Sequence, residues 1–130
     1  MSATKVIKGV LLLVDDNQNQ REVLTAALSD AGFRCQSVGN CASAINAIEQ
    51  ANFSLTLISH NMKPVNGLET AIYIRDLKTQ DEMPIILLSE KWDKDTEKEA
   101  LICGIDKIVL RETNRNKVIK TVHELLKLPY

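Results

Sequence analysis

Five short and mostly apolar runs, each followed by a longer stretch with helical spacing, constrain the fold of this chain more than any other feature. The runs predict β-strands at residues 10–14, 34–38, 55–59, 85–88 and 107–110. Strands that are buried on both faces have continuous apolar sequences, and their alternation with helices is typical of a parallel sheet. Because crossovers between parallel strands are right-handed, the pattern predicts an α/β fold with a doubly wound, five-stranded parallel sheet flanked by five helices.

Caps and apolar spacing locate the helices between these strands. Asn17 is a candidate N-cap for a first helix, whose predicted apolar face consists of Val23, Leu24, Ala27, Leu28 and Ala31. The second helix is expected at about 42–51, with Ala44, Ile45 and Ile48 inward. The third carries Leu68, Ala71, Ile72 and Leu77. The fourth, at 93–103, is strongly charged, and the last shows the clearest helical spacing, through Val118, Ile119, Val122, Leu125 and Leu126.

Length and composition limit the class of protein. The chain has 130 residues, which suits a single domain covering residues 1–130 around one hydrophobic core. Hydrophobic residues make up 45% and charged residues 25%, as in ordinary globular proteins. The formal net charge of −1 provides no strong field that would attract nucleic acid or an anionic membrane. We therefore expect neither as a partner of this domain.

The N-terminal segment does not have the pattern of a targeting signal. Lys5 and Lys8 precede an apolar run that ends at Asp15 and Asp16, so the run is too short for a signal-peptide core or a membrane span. We therefore expect a cytoplasmic protein. Its cysteines form no CxxC pair, and we expect free thiols rather than metal ligands at Cys35, Cys41 and Cys103.

Polar residues follow the predicted strands at the edge where parallel sheets place their sites. Asp15 and Asp16 follow the first strand, Ser59 ends the third, Ser89 follows the fourth and Arg111 follows the fifth. In doubly wound sheets, binding sites form at the carboxyl ends of the strands. The sequence therefore predicts one site that gathers two carboxylates, two hydroxyls and a guanidinium.

The strings at these strand ends resemble the receiver domains of response regulators over nearly the whole chain. Residues 12–17 read Leu-Leu-Val-Asp-Asp-Asn, like the acidic start of that family. In residues 59–67, Met62 and Gly67 follow Ser59 at the spacing with which they follow the family's phosphoacceptor aspartate. The strings at 84–89 and 104–111 resemble the strands that deliver its Ser/Thr and its Lys. The resemblance implies a flavodoxin-like receiver fold and a role in two-component or phosphorelay signalling.

The resemblance also assigns roles, and two positions depart from the family. Ser59 stands at the phosphoacceptor position, and Arg111 stands where the family has a phosphate-pairing lysine. Asp15, Asp16 and Ser89 match the acidic pocket and the switch Ser/Thr, whereas Ile108 stands at a position that is often aromatic. The implied magnesium site consists of the acidic pair, the acceptor carboxylate and the backbone carbonyl of Asn61.

These departures predict a pseudo-receiver that is not an enzyme and requires no cofactor. A serine hydroxyl needs a base before it can attack, whereas a carboxylate is already ionised. Without the acceptor carboxylate, binding of Mg²⁺ should be weak or absent. Since a guanidinium can bridge carboxylates, we hypothesise that Arg111 reaches Asp15 or Asp16 and occupies the metal position. His60 should point away from the pocket, because successive strand side chains face opposite sides, unless the loop turns there.

The leading hypothesis is a module that acts by phosphorylation-independent protein–protein interaction or dimerisation. The resemblance implies partners such as a histidine kinase, an output domain or another receiver, bound through the surface of the fourth helix, fifth strand and fifth helix. Trp92 near that helix could anchor a partner, and His60 and His123 are expected at a surface or interface. The alternative is a working phosphorelay acceptor that uses a non-standard residue. A nucleotide or flavin binder is disfavoured because two acids, and no glycine-rich loop, follow the first strand.

Overall fold

A computed structural model describes residues 9–111 and 115–129 of the chain. Lys5 and Lys8, on which part of the targeting argument depends, lie outside these residues. In chain order the elements are β1 (Val10–Val14), α1 (Gln18–Asp30), β2 (Arg34–Val38), α2 (Cys41–Gln50), β3 (Leu55–Ser59), α3 (Gly67–Arg75), β4 (Ile85–Ser89), α4 (Lys94–Ile102), β5 (Lys107–Leu110) and α5 (Arg115–Leu125). The five predicted strands and their alternation with helices are confirmed, with β4 extended by one residue to Ser89.

The strands form one parallel sheet in the order β2-β1-β3-β4-β5. The order reverses between β1 and β3, so the chain winds outward from the centre in both directions. β1, β3 and β4 are the inner strands, and nearly every residue in them is buried. The arrangement places the ends of β1 and β3 side by side at the switch point, where doubly wound sheets form their sites.

Helices cover both faces of the sheet. On one face α2, α3 and α4 pack on alternate strand residues such as Leu12, Ile58 and Leu87. On the other face α1 and α5 pack on the intervening residues, which include Leu13, Leu57 and Val109. This alternation determines which face each strand-end side chain joins.

Some predicted apolar helix positions lie at the surface. Val23 on α1, Ile72 on α3 and Leu77 just beyond α3 are substantially exposed, although the sequence placed them with the inward residues. The sheet contacts only the narrow stripe that includes Leu24 and Leu28, so apolar residues beside that stripe remain outside. Asn17 is confirmed as the N-cap of α1, since its side chain accepts from the backbone N–H of Gln20 at 2.9 Å.

A guanidinium links several segments at the opposite edge of the sheet, where the strands begin. Arg75, the last residue of α3, donates to Asp106 Oδ2 at 3.0 Å, and that oxygen also accepts from the backbone N–H of Ile85 at 2.7 Å. Arg75 donates as well to the backbone carbonyls of Lys78, Thr79, Met83 and Gly104. Burial lowers the pKa of Arg75, and the charge of Asp106 partly offsets this effect. The network joins α3 to the starts of β4 and β5.

The three cysteines are free thiols, as predicted, and all are partly buried. Cys35 and Cys103 pack against the apolar clusters on opposite faces of the sheet. Burial raises the pKa of the Cys35 thiol to about 11, and the neighbouring Thr25 partly opposes the shift. Separately, no helix within residues 9–111 and 115–129 is long and apolar enough to cross a membrane.

Candidate functional site

An ion pair lies at the carboxyl edge of the sheet. Arg111, just after β5, places Nη2 2.9 Å from Oδ2 of Asp15, just after β1. The Asp15 side chain is only 1% exposed and that of Arg111 14% exposed, so the pair is largely removed from water. The backbone N–H of Arg111 donates to the carbonyl of Ser89 at 2.8 Å, and this bond holds the backbone of Arg111 beside the end of β4. Because β3 and β4 lie between β1 and β5, the ion pair extends across the ends of both strands.

Asp15 has further partners that hold it in place. Its Oδ1 accepts from the backbone N–H of Asn17 at 3.0 Å, and its carbonyl oxygen accepts from Arg21 Nη1 at 2.7 Å. Both carboxylate oxygens of Asp15 are therefore engaged by donors of the protein itself. Asp16 is exposed, and its Oδ2 accepts from the backbone N–H of Lys63 in the loop after β3 at 3.1 Å.

Ser59 is the last residue of β3 and is only 4% exposed. Strand alternation places it on the face of Leu55 and Leu57, which pack towards α1 and α5. Asp15 and Arg111 continue the alternation of their own strands on the same face. The structure thus brings the hydroxyl, one carboxylate and the guanidinium to one side of the sheet edge.

Ser89 and His60 form a separate hydrogen-bonded group. Ser89 ends β4 on the face of Ile85 and Leu87, and its hydroxyl donates to the carbonyl of Lys91 at 2.7 Å. Its oxygen lies 3.0 Å from His60 Nδ1, so Nδ1 carries the proton of that bond. The expectation that two hydroxyls meet in one site is therefore wrong in part, because Ser89 is directed to His60 and Lys91. His60 lies on the opposite face from Ser59, yet it reaches a strand-end residue rather than solvent, which sequence spacing alone did not predict.

The remaining predicted residues surround this edge. Asn61 is exposed in the loop after β3, Ile108 is partly buried against the core of α2, α3 and α4, and Trp92 is half exposed before α4. His123 packs edge-on against Phe33, with ring centroids 5.2 Å apart. His123 is part of α5, and its ring faces the segment after α1, away from the carboxyl edge.

Gly67 is required by the close approach of two backbone segments, a cause that sequence spacing alone did not reveal. Its N–H donates to the carbonyl of His60 at 2.9 Å. A Cβ at this position would overlap the carbonyl oxygen of Ser59 and lie 2.9 Å from the Cα of His60. Only glycine allows α3 to begin this close to the end of β3.

We expect Gly67→Ala to lower the free energy of unfolding by about 1–3 kcal/mol, since backbone atoms have to move to admit the methyl group. Urea denaturation checks the result. Gly39→Ala is the matched control, because its Cβ would meet the end of the Arg21 side chain at 3.1 Å, which has to shift by only a few tenths of an ångström, and no backbone atom has to move. An equal loss in the two variants would show that the contact with Ser59 is not the cause.

Comparison with known proteins identifies the family. The family model described as "Response regulator receiver domain" matches residues 11–123. This chain belongs to that family. It is a receiver domain of two-component signalling. Receiver domains are signalling modules that interact with kinases and output domains, and they are not typically enzymes.

Relatives of this receiver domain include regulators of transcription. The chain is 25% identical over 117 residues to the phosphate regulon transcriptional regulatory protein PhoB of Pseudomonas aeruginosa, covering 90% of the chain and 51% of that protein. It is 26% identical to the DNA-binding response regulator MtrA of Mycolicibacterium smegmatis, with coverage of 90% and 50%. The chain thus spans about half the length of these curated relatives.

Solved structures share the fold of this receiver domain. The chemotaxis protein CheY4 of Vibrio cholerae matches with a TM-score of 0.86 and 21% identity, covering 92% of this chain and 99% of that one. The response regulator TrrA of Thermotoga maritima, solved in complex with Mg(2+)-BeF, matches with a TM-score of 0.81 and 26% identity, covering 91% and 99%. The predicted receiver fold is therefore confirmed.

Proposed function

We propose that this receiver domain signals by binding protein partners and does not accept a phosphoryl group. The observation that carries the proposal is the ion pair between Arg111 and Asp15, which extends across the strand end where Ser59 stands. In this reading Ser59 replaces the phosphoacceptor aspartate and Arg111 replaces the lysine that pairs with phosphate. The domain is then held in a single state by its own side chains.

The chemistry of Ser59 supports this reading. A serine hydroxyl becomes a good nucleophile only when a base removes its proton. The carboxylate of Asp15 is on the same face but is engaged by Arg111 and by the N–H of Asn17. His60, the one imidazole next to it in sequence, is bonded to Ser89 on the other face. Neither of these two groups is thus set to act as the base, and a serine phosphate would be a stable ester rather than a rapid switch.

The residues at this edge also fit a divalent cation poorly. Receiver domains bind Mg²⁺ at the phosphorylation site, and Mg²⁺ requires several hard oxygen ligands. Here both oxygens of Asp15 have protein donors, Asp16 Oδ2 accepts from Lys63, and Ser59 supplies no charge. Over the described part of the chain, no three His, Cys, Asp or Glu side chains come together to hold a metal ion. We therefore expect weak Mg²⁺ binding or none, through Asp15, Asp16 and the carbonyl of Asn61.

The surface of α4, β5 and α5 is our proposed contact for a kinase, an output domain, another receiver or a second copy of this chain. A groove of about 400 Å³ lies between α4 and β5, with Trp92, Leu101 and Ile108 among its lining residues. We call it the α4–β5 groove. Leu101 is 73% exposed and Trp92 is 50% exposed, so the lining of this groove includes two exposed apolar side chains. The single-domain extent of 1–130 and the cytoplasmic location stay predictions from the sequence.

The experiment that tests the proposal is intact mass measurement after incubation with acetyl phosphate and Mg²⁺. We expect no adduct on the natural protein and little on Ser59→Asp, because Arg111 still occupies the position of the cation. Ser59→Asp/Arg111→Lys should form a labile adduct on a large fraction of molecules. A labile adduct on the natural protein would refute the proposal and favour a phosphorelay acceptor that uses another residue.

A further inference from the structure

A second groove, on the other side of α4, is lined by apolar residues that nothing in the proposed function uses. It lies between α3 and α4 and has a volume of about 250 Å³. Leu68 and Cys103 line it and also pack with the core beneath. Its walls are Ile72 on α3 and Ile102 at the end of α4. We call it the α3–α4 groove.

The walls of this groove are unusually exposed. Ile102 is 85% exposed, the highest value for a large hydrophobic side chain in the described residues, and Ile72 is 50% exposed. Single exposed aliphatic residues are common on protein surfaces, but two from different helices beside one groove form a continuous apolar patch. An apolar side chain inserted between them would bury both walls and contact Leu68 at the edge of the core.

The charged residues that line the α3–α4 groove are both acidic. Glu69 belongs to the capping box of α3, in which its side-chain Oε1 accepts from the backbone N–H of Asn66 at 3.5 Å. Glu99 lies on α4, one turn before Cys103. Burial, and to a smaller extent the charge of Glu99, raises the pKa of the Cys103 thiol, so that this thiol stays neutral. The groove therefore combines an apolar floor with two negative charges at its rim.

The apolar floor and the acidic rim limit which kinds of ligand can bind in this groove. A second copy docked by two-fold symmetry would bring the same acidic rim against itself, which opposes association. An anionic surface would be repelled for the same reason. A volume of about 250 Å³ is below the roughly 300–1,000 Å³ of small-molecule pockets and suits one or two side chains.

We propose that the α3–α4 groove is a docking site for a protein segment with an exposed aliphatic side chain flanked by lysine or arginine. The aliphatic group packs between Ile72 and Ile102, and the basic residues pair with Glu69 and Glu99. This site does not involve the chemistry of Ser59. The docking proposal can therefore be tested separately from the proposed loss of phosphorylation. It also adds a second binding face beside the α4–β5 groove.

The test uses ¹⁵N–¹H NMR titration of the full chain with a short amidated helical peptide that carries leucine at every fourth position and lysine elsewhere. We expect the largest shifts at the amides of Leu68, Ile72 and Ile102. Ile102→Ser should weaken binding about tenfold or more through lost apolar burial. Glu99→Lys should weaken it by about fivefold.

Glu97→Lys is the matched control, since Glu97 carries the same charge on the same helix but lines the α4–β5 groove. It should change the affinity by less than about twofold. A peptide with glutamate in place of lysine should bind Glu99→Lys better than the natural chain. Equal effects of the two charge reversals, shifts confined to the α4–β5 groove, or no shifts at millimolar peptide would each overturn the proposal.

Discussion

Replacing Arg111 by alanine should create a domain whose thermal stability depends on magnesium, whereas the natural chain should not respond to it. Asp15 is 1% exposed, and Arg111 is the cation that faces it at 2.9 Å. Removing one partner of a buried pair typically costs about 3–5 kcal/mol, because the remaining charge has lost its compensation. Mg²⁺ can then bind at Asp15 and Asp16 and return part of that free energy. Thermal unfolding with and without MgCl₂ measures both effects.

Arg21→Ala is the control for this experiment. Arg21 approaches the same residue but donates to the backbone carbonyl of Asp15, at 2.7 Å, and leaves the carboxylate paired with Arg111. It should lower the melting temperature slightly and create no response to Mg²⁺. If the natural protein gains as much stability from Mg²⁺ as Arg111→Ala does, the guanidinium does not occupy the position of the cation.

Replacing Arg75 by alanine should lower the free energy of unfolding by about 3–5 kcal/mol, a large fraction of the 5–15 kcal/mol typical of a domain. The change removes the charged partner of Asp106 and the donor to the carbonyl of Met83, and it leaves the carbonyl of Gly104 with the longer bond of 3.4 Å from Gln80. Equilibrium urea denaturation followed by circular dichroism measures the loss.

Arg75→Lys distinguishes charge from geometry in this network. Lysine keeps the positive charge, but it lacks the planar fork that donates to several oxygens at once. It should therefore recover only a minor part of the stability lost in Arg75→Ala. Arg34→Ala, at an exposed position on the edge strand β2, should change the stability by less than about 0.5 kcal/mol. Full recovery in Arg75→Lys would show that only the charge matters.

The strands and the main contact of the site could be predicted because both depend on local patterns. Continuous apolar runs marked the buried strands, and the strand-end rule brought Asp15 and Arg111 to one edge, where they form the ion pair that the sequence suggested. The exposed positions of Val23 and Ile72 could not be predicted in this way, since an apolar pattern does not show how wide a stripe the sheet will cover.

The contacts that the sequence missed involve partners that carry no sequence signal. Four of the acceptors of Arg75 are backbone carbonyls, which any residue could provide. The bond between His60 and Ser89 depends on how the chain turns after β3, which spacing does not specify. The glycine at 67 was visible as part of a motif, but its cause, the carbonyl of Ser59, appears only in three dimensions.

Helix α4 separates the two grooves, and its consecutive residues Leu101 and Ile102 line one groove each. Within the helix only Ala100 is buried, so little apolar contact fixes its position on the sheet. If a ligand in one groove moves α4, it also moves a wall of the other groove, and the two affinities are then coupled. By thermodynamic linkage the effect is reciprocal, so each partner changes the dissociation constant of the other by the same factor. Under the proposed function, we would then expect coupling between two bound proteins, rather than phosphorylation, to regulate the domain.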